Sequence, residues 1–219
     1  HLEPAQPPSY SGTPNDLRHW LLPSAMTAPE HEAPRPQAAD LDNPLYYLQN
    51  METVVNWVAG HHGDLLTPDE RQRLADLLSL SVSARALLTR MVMRTGELFR
   101  ADKLRYPELP EPESAALNEL MTAGWIATPQ TVSLDDLFRL FTLAELRPVF
   151  ASTLTALGEP PGLPKGRMKA VLSEHLGDEF NLADWLAEHS GNVIHLAYMP
   201  LFDRIRLMFF GNLRQSWPD

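Results

Sequence analysis

The sequence predicts a mainly helical protein with a winged-helix-like unit in its first half. Three observations lead there. Apolar residues recur at helical spacing in several stretches that open on capping residues. Two short extended pieces, Leu98-Phe99-Arg100 and Trp125-Ile126-Ala127, fall between such stretches. The resulting order of helix, short strand, helix and strand pair is that of a winged helix, with a small helical domain that merely packs as the alternative. A chain of 219 residues, 44% of them hydrophobic, can bury one large or two small cores.

Residues 1–40 hold eight of the twenty prolines and few apolar side chains, the composition of an extended or mobile arm. Tyr10, Trp20, Leu21 and Leu22 are its docking-competent residues. Order is expected from Asn43-Pro44. Leu45 to Ala59 reads as an amphipathic helix through Leu45, Leu48, Met51, Val54, Val55 and Val58, with Gly60 as its stop. Thr67-Pro68-Asp69-Glu70 has the form of a capping box with proline at the first helical position. Ser81 opens a helix with Leu87, Leu88, Met91 and Val92 inward, interrupted at Gly96. Helix Glu113 to Ala123 should end at Gly124. Ser133 to Asp136 and Thr142 to Glu145 are two further capping boxes, and Lys165-Gly166 opens another helix with Met168, Val171 and Leu172 inward. A last apolar segment runs from Val193 to Leu213. No repeat of solenoid period is present.

The net charge of −10 argues against nucleic acid when taken as a sum. Its distribution says otherwise. Six of the eighteen basic residues fall between positions 85 and 105 (Arg85, Arg90, Arg94, Arg100, Lys103, Arg105), opposed there only by Glu97 and Asp102. A solvated helix face is the plain alternative. Gly162 to Lys169 places Lys165, Arg167 and Lys169 at a turn and helix start, where exposed amides and the helix dipole favour an anion.

Catalytic signatures are missing. The lysines of a restriction-type E-x-K triplet would need an acid two residues earlier, but Ala101, Leu163 and Arg167 stand there. No G-x-S-x-G and no phosphate loop of the G-x-x-x-x-G-K type occurs. His61-His62 are adjacent, and His189 and His195 are six apart, so neither pair has helical ligand spacing; His175 has no second ligand nearby. Without cysteine there is neither a disulfide nor a Cys-ligated zinc. No apolar run suits a membrane span or signal peptide, and the start at His1 suits a trimmed or tagged chain.

Several segments, taken in order, resemble the Fanconi-associated nuclease family, whose catalytic domain is of the VRR type. They are Asn43-Pro44-Leu45-Tyr46-Tyr47-Leu48-Gln49-Asn50, Asp64 to Glu70, Arg90 to Arg100, Lys103 to Leu109, Leu117-Asn118-Glu119-Leu120 and Ala123-Gly124-Trp125-Ile126. Leu143 to Leu176 looks like the family's SAP module, and Phe209-Phe210-Gly211-Asn212 resembles the entrance to its helical-repeat region.

The resemblance implies a proline-rich arm at 1–40 and a winged-helix-like DNA-binding domain at 41–130. A SAP-like DNA-binding module at 131–190 and the start of a helical, TPR-like region at 191–219 would come next. The implied activity is that of a DNA-repair nuclease of phosphodiesterase type, acting as 5′-flap endonuclease and 5′–3′ exonuclease in interstrand crosslink repair. Its Mg²⁺ or Mn²⁺ and its catalytic residues would lie in a nuclease domain beyond Asp219, with no cofactor held by the present residues. The implied partner is branched or flapped double-stranded DNA, with no membrane. Arg94, Arg100, Lys103, Arg105, Lys165, Arg167 and Lys169 carry over as phosphate contacts, while Leu98, Phe99, Leu104 and Trp125 read as core. Lacking the Cys-rich finger of eukaryotic members, the chain suits a bacterial, nucleoid-associated setting, where a eukaryotic member would be nuclear. Two alternatives stay open: a protein-interaction adaptor, motivated by the acidic charge, and a self-contained hydrolase, motivated by the histidines. Homodimerisation through the SAP-like part is compatible with either of the non-catalytic readings.

Overall fold

The computed structural model describes residues 36–211. The arm at 1–35, with Tyr10, Trp20, Leu21 and Leu22, and the segment 212–219 lie outside the described residues. The elements in chain order are α1 (Tyr46–His61), α2 (Pro68–Ser79), α3 (Val82–Val92), β1 (Leu98–Arg100), α4 (Glu113–Thr122) and β2 (Ile126–Ala127). They continue with β3 (Thr131–Ser133), α5 (Leu134–Leu140), α6 (Leu143–Ala156), α7 (Lys165–Leu176), β4 (Glu179–Asn181), α8 (Leu182–Trp185), β5 (Val193–Leu196) and α9 (Met199–Phe210). The fold is mainly helical.

Local chemistry sets the helix starts. Thr67 accepts from the Glu70 amide at 3.2 Å while Glu70 accepts from the Thr67 amide at 2.7 Å, closing the box that opens α2. Thr142 and Glu145 do the same for α6 at 3.3 and 2.8 Å. Ser133 caps α5 through the Asp136 amide, without a reciprocal bond to its own backbone N–H. Gly124, at φ 75°, turns the chain from α4 into β2 in the left-handed region that a side chain resists.

Gly60 does not stop α1, contrary to the sequence expectation. The helix runs on to His61 because Trp57 and Val58 are buried in the core. The His61 ring stacks on Trp57 at 4.6 Å and reaches the Trp57 carbonyl at 2.9 Å. Together these outweigh the roughly 1 kcal/mol a glycine costs inside a helix.

The first core is formed by α1, α2, α3, α4, α9 and one face of a three-stranded antiparallel sheet in the order β1-β5-β2. That is the strand order of a winged helix, but the middle strand arrives late. Residues 128–192 intervene between β2 and β5 and fold as a second module in place of a wing loop. This module pairs β3 with β4 and buries Leu137, Phe141, Leu146, Phe150, Met168, Leu172 and Phe180 in a core of its own.

The sheet is the wall between the two cores. Side chains alternate across a strand. Phe99, Ile194, Leu196 and Ile126 enter the first core, whereas Leu98 and Val193 pack on the second. Arg100, paired with Val193 in register, faces the second module too.

Of residues 191–219, expected to begin a separate helical region, Ile194 and Leu196 of β5 and the whole of α9 thus return to the first core. Leu201, Phe202, Ile205 and Phe209 of α9 are buried there, and the Phe209 ring meets Trp57 edge-on at 5.2 Å. The chain enters α9 through Tyr198, at φ 63°, an unfavourable conformation for a side chain of that size. Arg73 steadies it, donating to the Tyr198 hydroxyl at 2.7 Å with its guanidinium 4.3 Å from the ring.

Two substitutions separate a core role of α9 from an external one. Ile205→Ala should cost about 2–5 kcal/mol in urea unfolding followed by tryptophan fluorescence. Leu207→Ala, exposed on the same helix, should stay within about 0.5 kcal/mol.

Candidate nucleic-acid interface

The end of α3, the turn after β1 and the segment that comes after it bring cations together. One groove of about 420 Å³ is lined by Arg90, Met93, Arg94, Lys103, Arg105 and Tyr106. A second, of about 200 Å³, shares Arg94 and Lys103 and adds Thr95, Phe99, Arg100, Leu104, Arg139 and Leu140. The two grooves therefore share one basic edge, and the second has a bank from each module.

Arg94 leaves the end of α3 exposed, and among the described residues its one side-chain hydrogen bond is a long one of 3.4 Å to the Tyr106 hydroxyl. Lys103 ends the short 3-10 turn Ala101–Lys103, exposed and with no side-chain hydrogen bond or ion pair among the described residues. Arg105 is exposed and donates to the neighbouring Leu104 carbonyl at 2.6 Å. These three carry no neutralising carboxylate at salt-bridge distance among the described residues, which leaves their charge available to an anion.

Arg90, at the back of the first groove, is fixed differently. Its Nε and Nη2 donate to Glu108 at 2.9 and 2.5 Å, and its guanidinium lies 3.8 Å from the Tyr47 ring centre. Burial and the nearby Glu108 charge push the Tyr47 hydroxyl up to about 12, so it remains a neutral donor to Glu108. Burial also works against the Glu108 carboxylate, but its own backbone N–H and Arg90 overcome that and hold its pKa below the ordinary range.

Arg100 does not belong with the phosphate contacts. Its side chain is 3% exposed. Nε and Nη2 bind Asp102 at 2.7 and 2.6 Å, Nη1 reaches Glu145 at 3.2 Å, and the guanidinium sits 4.3 Å from the Phe141 ring centre. With all three nitrogens paired and Phe141 against the group, Arg100 lines the second groove but offers it little free charge. The sequence could show the charge of Arg100 but not which side of β1 it would face.

The cations of α7 are separate from both groove linings. Lys165 donates to the Phe141 carbonyl at 2.7 Å and so caps α5. Lys169 pairs with Asp135 at 2.7 Å, and Arg167 with Glu159 at 3.4 Å while 62% exposed. Exposed pairs of this kind are weak, worth about 0–1 kcal/mol, and yield readily to a stronger anion. Pro164 precedes α7 without any side-chain cap, so its first amides point outward uncapped.

Arg139 is the groove residue that sequence reasoning missed. Its terminal nitrogens donate to the Leu98 carbonyl, each at 3.3 Å, and Nη2 also binds Asp136 at 3.1 Å. Gly96, at φ 88°, carries the chain past the guanidinium in the left-handed region; a Cβ there would meet Nη1 at an ordinary 3.4 Å, so it is the backbone conformation rather than space that favours glycine. No local signal marks Arg139; it meets Arg94 and Lys103 only through the packing of the modules. Among the described residues, His61 and His175 make local contacts, to the Trp57 and Val171 carbonyls, while His195 on β5 meets Glu97, just before β1, at 3.1 Å. Among the described residues no group of three His, Asp or Glu stands together as a metal site.

Two family descriptions match the chain, "FAN1, HTH domain" at residues 45–127 and "Fanconi anemia-associated nuclease SAP domain" at residues 132–185. The chain belongs to the Fanconi-associated nuclease family. It is 37% identical over 191 residues to the Fanconi-associated nuclease 1 homolog of Pseudomonas aeruginosa, a match covering 87% of this chain and 33% of that protein. Among solved structures it resembles paFAN1 bound to 2nt 5′ flap DNA with gap, with TM-score 0.73 and 38% identity over 81% of this chain and 32% of the other. It also resembles paFAN1 bound to 1nt 5′ flap DNA with gap, with TM-score 0.71 and 38% identity over 80% and 31%. The chain thus spans about a third of the length of these relatives. Neither matched range reaches β5 or α9, although both complete the first, helix-turn-helix module.

The Glu145 carboxyl links this site to acid stability. The Thr142 amide holds its pKa at about 2 against an ordinary 4.5, with burial opposing and Arg100 assisting. A depressed carboxyl stabilises the fold above its unfolded pKa and loses that contribution as pH falls through the folded one. Stability should therefore drop between about pH 4.5 and pH 2. Glu145→Gln should remove part of that dependence in urea titrations repeated across this range.

Proposed function

We propose that this chain is the DNA-binding part of a structure-specific nuclease, holding branched DNA by its phosphates while cleavage is carried out elsewhere in the protein. The observation that carries this is the pair of grooves with Arg94, Lys103 and Arg105 exposed and without a carboxylate partner among the described residues, in a fold shared with relatives bound to 5′ flap DNA. Contacts to phosphate position a protein without reading sequence, as an enzyme acting on any junction requires. Arg139 joins these three, and Arg167 and Lys169 at the start of α7 would exchange weak surface partners for phosphates. Lys165 contributes its remaining ammonium hydrogens beside the uncapped amides of α7.

The whole protein is then a metal-dependent DNA nuclease acting on 5′ flaps in repair, with Mg²⁺ or Mn²⁺ as the ion. The described residues offer that ion no cluster of ligands, and their work is to bind and orient. A bacterial relative and a DNA substrate favour a place at the nucleoid.

Anisotropy titrations with a gapped 5′ flap and a plain duplex at several salt concentrations test this. Binding should favour the flap and weaken linearly on a log–log salt plot. Lys103→Ala should lower affinity for both DNAs alike and reduce the slope by about 1. Salt-insensitive binding, or none, would contradict the proposal.

A further inference from the structure

Two contacts cross the seam between the modules in opposite directions. Arg100 starts from β1, is anchored to Asp102 beside it, and reaches over to Glu145 at 3.2 Å and to the Phe141 ring. Glu145 is itself fixed by the Thr142 amide at 2.8 Å, so the contact ends on a rigid helix start. In return, Arg139 from α5 donates to the Leu98 carbonyl on β1. Between them lies the smaller groove, with Arg94 and Lys103 on one bank and Arg139 on the other.

On the DNA-binding function proposed above, a straight duplex would need the cations of only one module. A gapped or flapped junction changes direction, so recognising it requires both sets of cations at one fixed mutual angle. Turning one module against the other would keep the Arg100–Asp102 pair but break the 3.2 Å contact to Glu145 and uncover the guanidinium from Phe141, so the observed packing angle is the favoured one.

We propose that Arg100 is a positioning residue: by locking the inserted module against the helix-turn-helix, it sets the preference for branched over linear DNA without touching DNA. This rests on the DNA-binding function proposed above. It assigns discrimination to a side chain that contributes nothing to affinity for a straight duplex.

The absence of native cysteine makes the lock measurable. Ser114→Cys on α4 and Ser173→Cys on α7, both at the surface, give one spin-label pair, with a label on each module. The 219-residue chain should show a single narrow distance distribution, and Arg100→Met should broaden or shift it. Glu145→Gln, which can still complete the cap of α6, should act in the same direction and remains informative if the Arg100 variant folds poorly. In anisotropy titrations Arg100→Met should lower the flap-over-duplex affinity ratio about tenfold, an ordinary coupling between sites. Duplex affinity should stay within about twofold, the range of a neutral surface change. Lys103→Ala should weaken both DNAs with the ratio unchanged. Salt-insensitive binding by the parent chain would remove the DNA-binding function, and the proposal with it. Distances and ratios unaltered in both Arg100→Met and Glu145→Gln, with the parent binding normally, would overturn the positioning role alone.

Discussion

β5 is the strand on which both halves of the molecule depend. It lies between β1 and β2 and pairs with both, so it has no free edge. Its alternate side chains go to different cores, Val193 to one and Ile194 and Leu196 to the other. A chain that leaves the sheet after β2 can come back into it only by folding everything in between on one side. The second module is therefore held at both ends by the sheet of the first, and the seam carrying Arg100 and Arg139 results from that closure.

Charge is sorted over this frame rather than spread evenly. The chain carries a net −10, yet Arg94, Lys103, Arg105 and Arg139 surround adjoining grooves. The acidic residues Asp69, Glu70 and Asp76 line a different groove of about 360 Å³ along α2, near Arg73 and Tyr198. Acidic surface away from the basic edge opposes nonspecific coating by DNA and leaves one face attractive to phosphate, an arrangement that net charge alone conceals.

Much of the local structure was legible because its causes are local. Thr67 with Glu70 and Thr142 with Glu145 specify their helix starts through backbone bonds three residues apart, and Phe99, Leu104 and Trp125 are core as expected, with Leu98 partly buried. The family resemblance was legible too, being carried by contiguous motifs. The seam was not. Gly60 failed to end α1 because tertiary packing outweighed a small local cost. Arg100 and Lys103 look alike in sequence, but one faces Phe141 and Glu145 and the other faces solvent, a difference fixed by a module inserted after both. The return of β5 and α9 to the first core depends on pairings across the whole insertion.

Hydrogen exchange followed by mass spectrometry, on this chain with and without a gapped 5′ flap DNA, addresses the central claim most directly. The account predicts slowed exchange in peptides covering 93–105, around Arg139 and at the start of α7, with α2 unchanged. Protection confined to α2 and α9, or no change across 93–105 at saturating DNA, would contradict it.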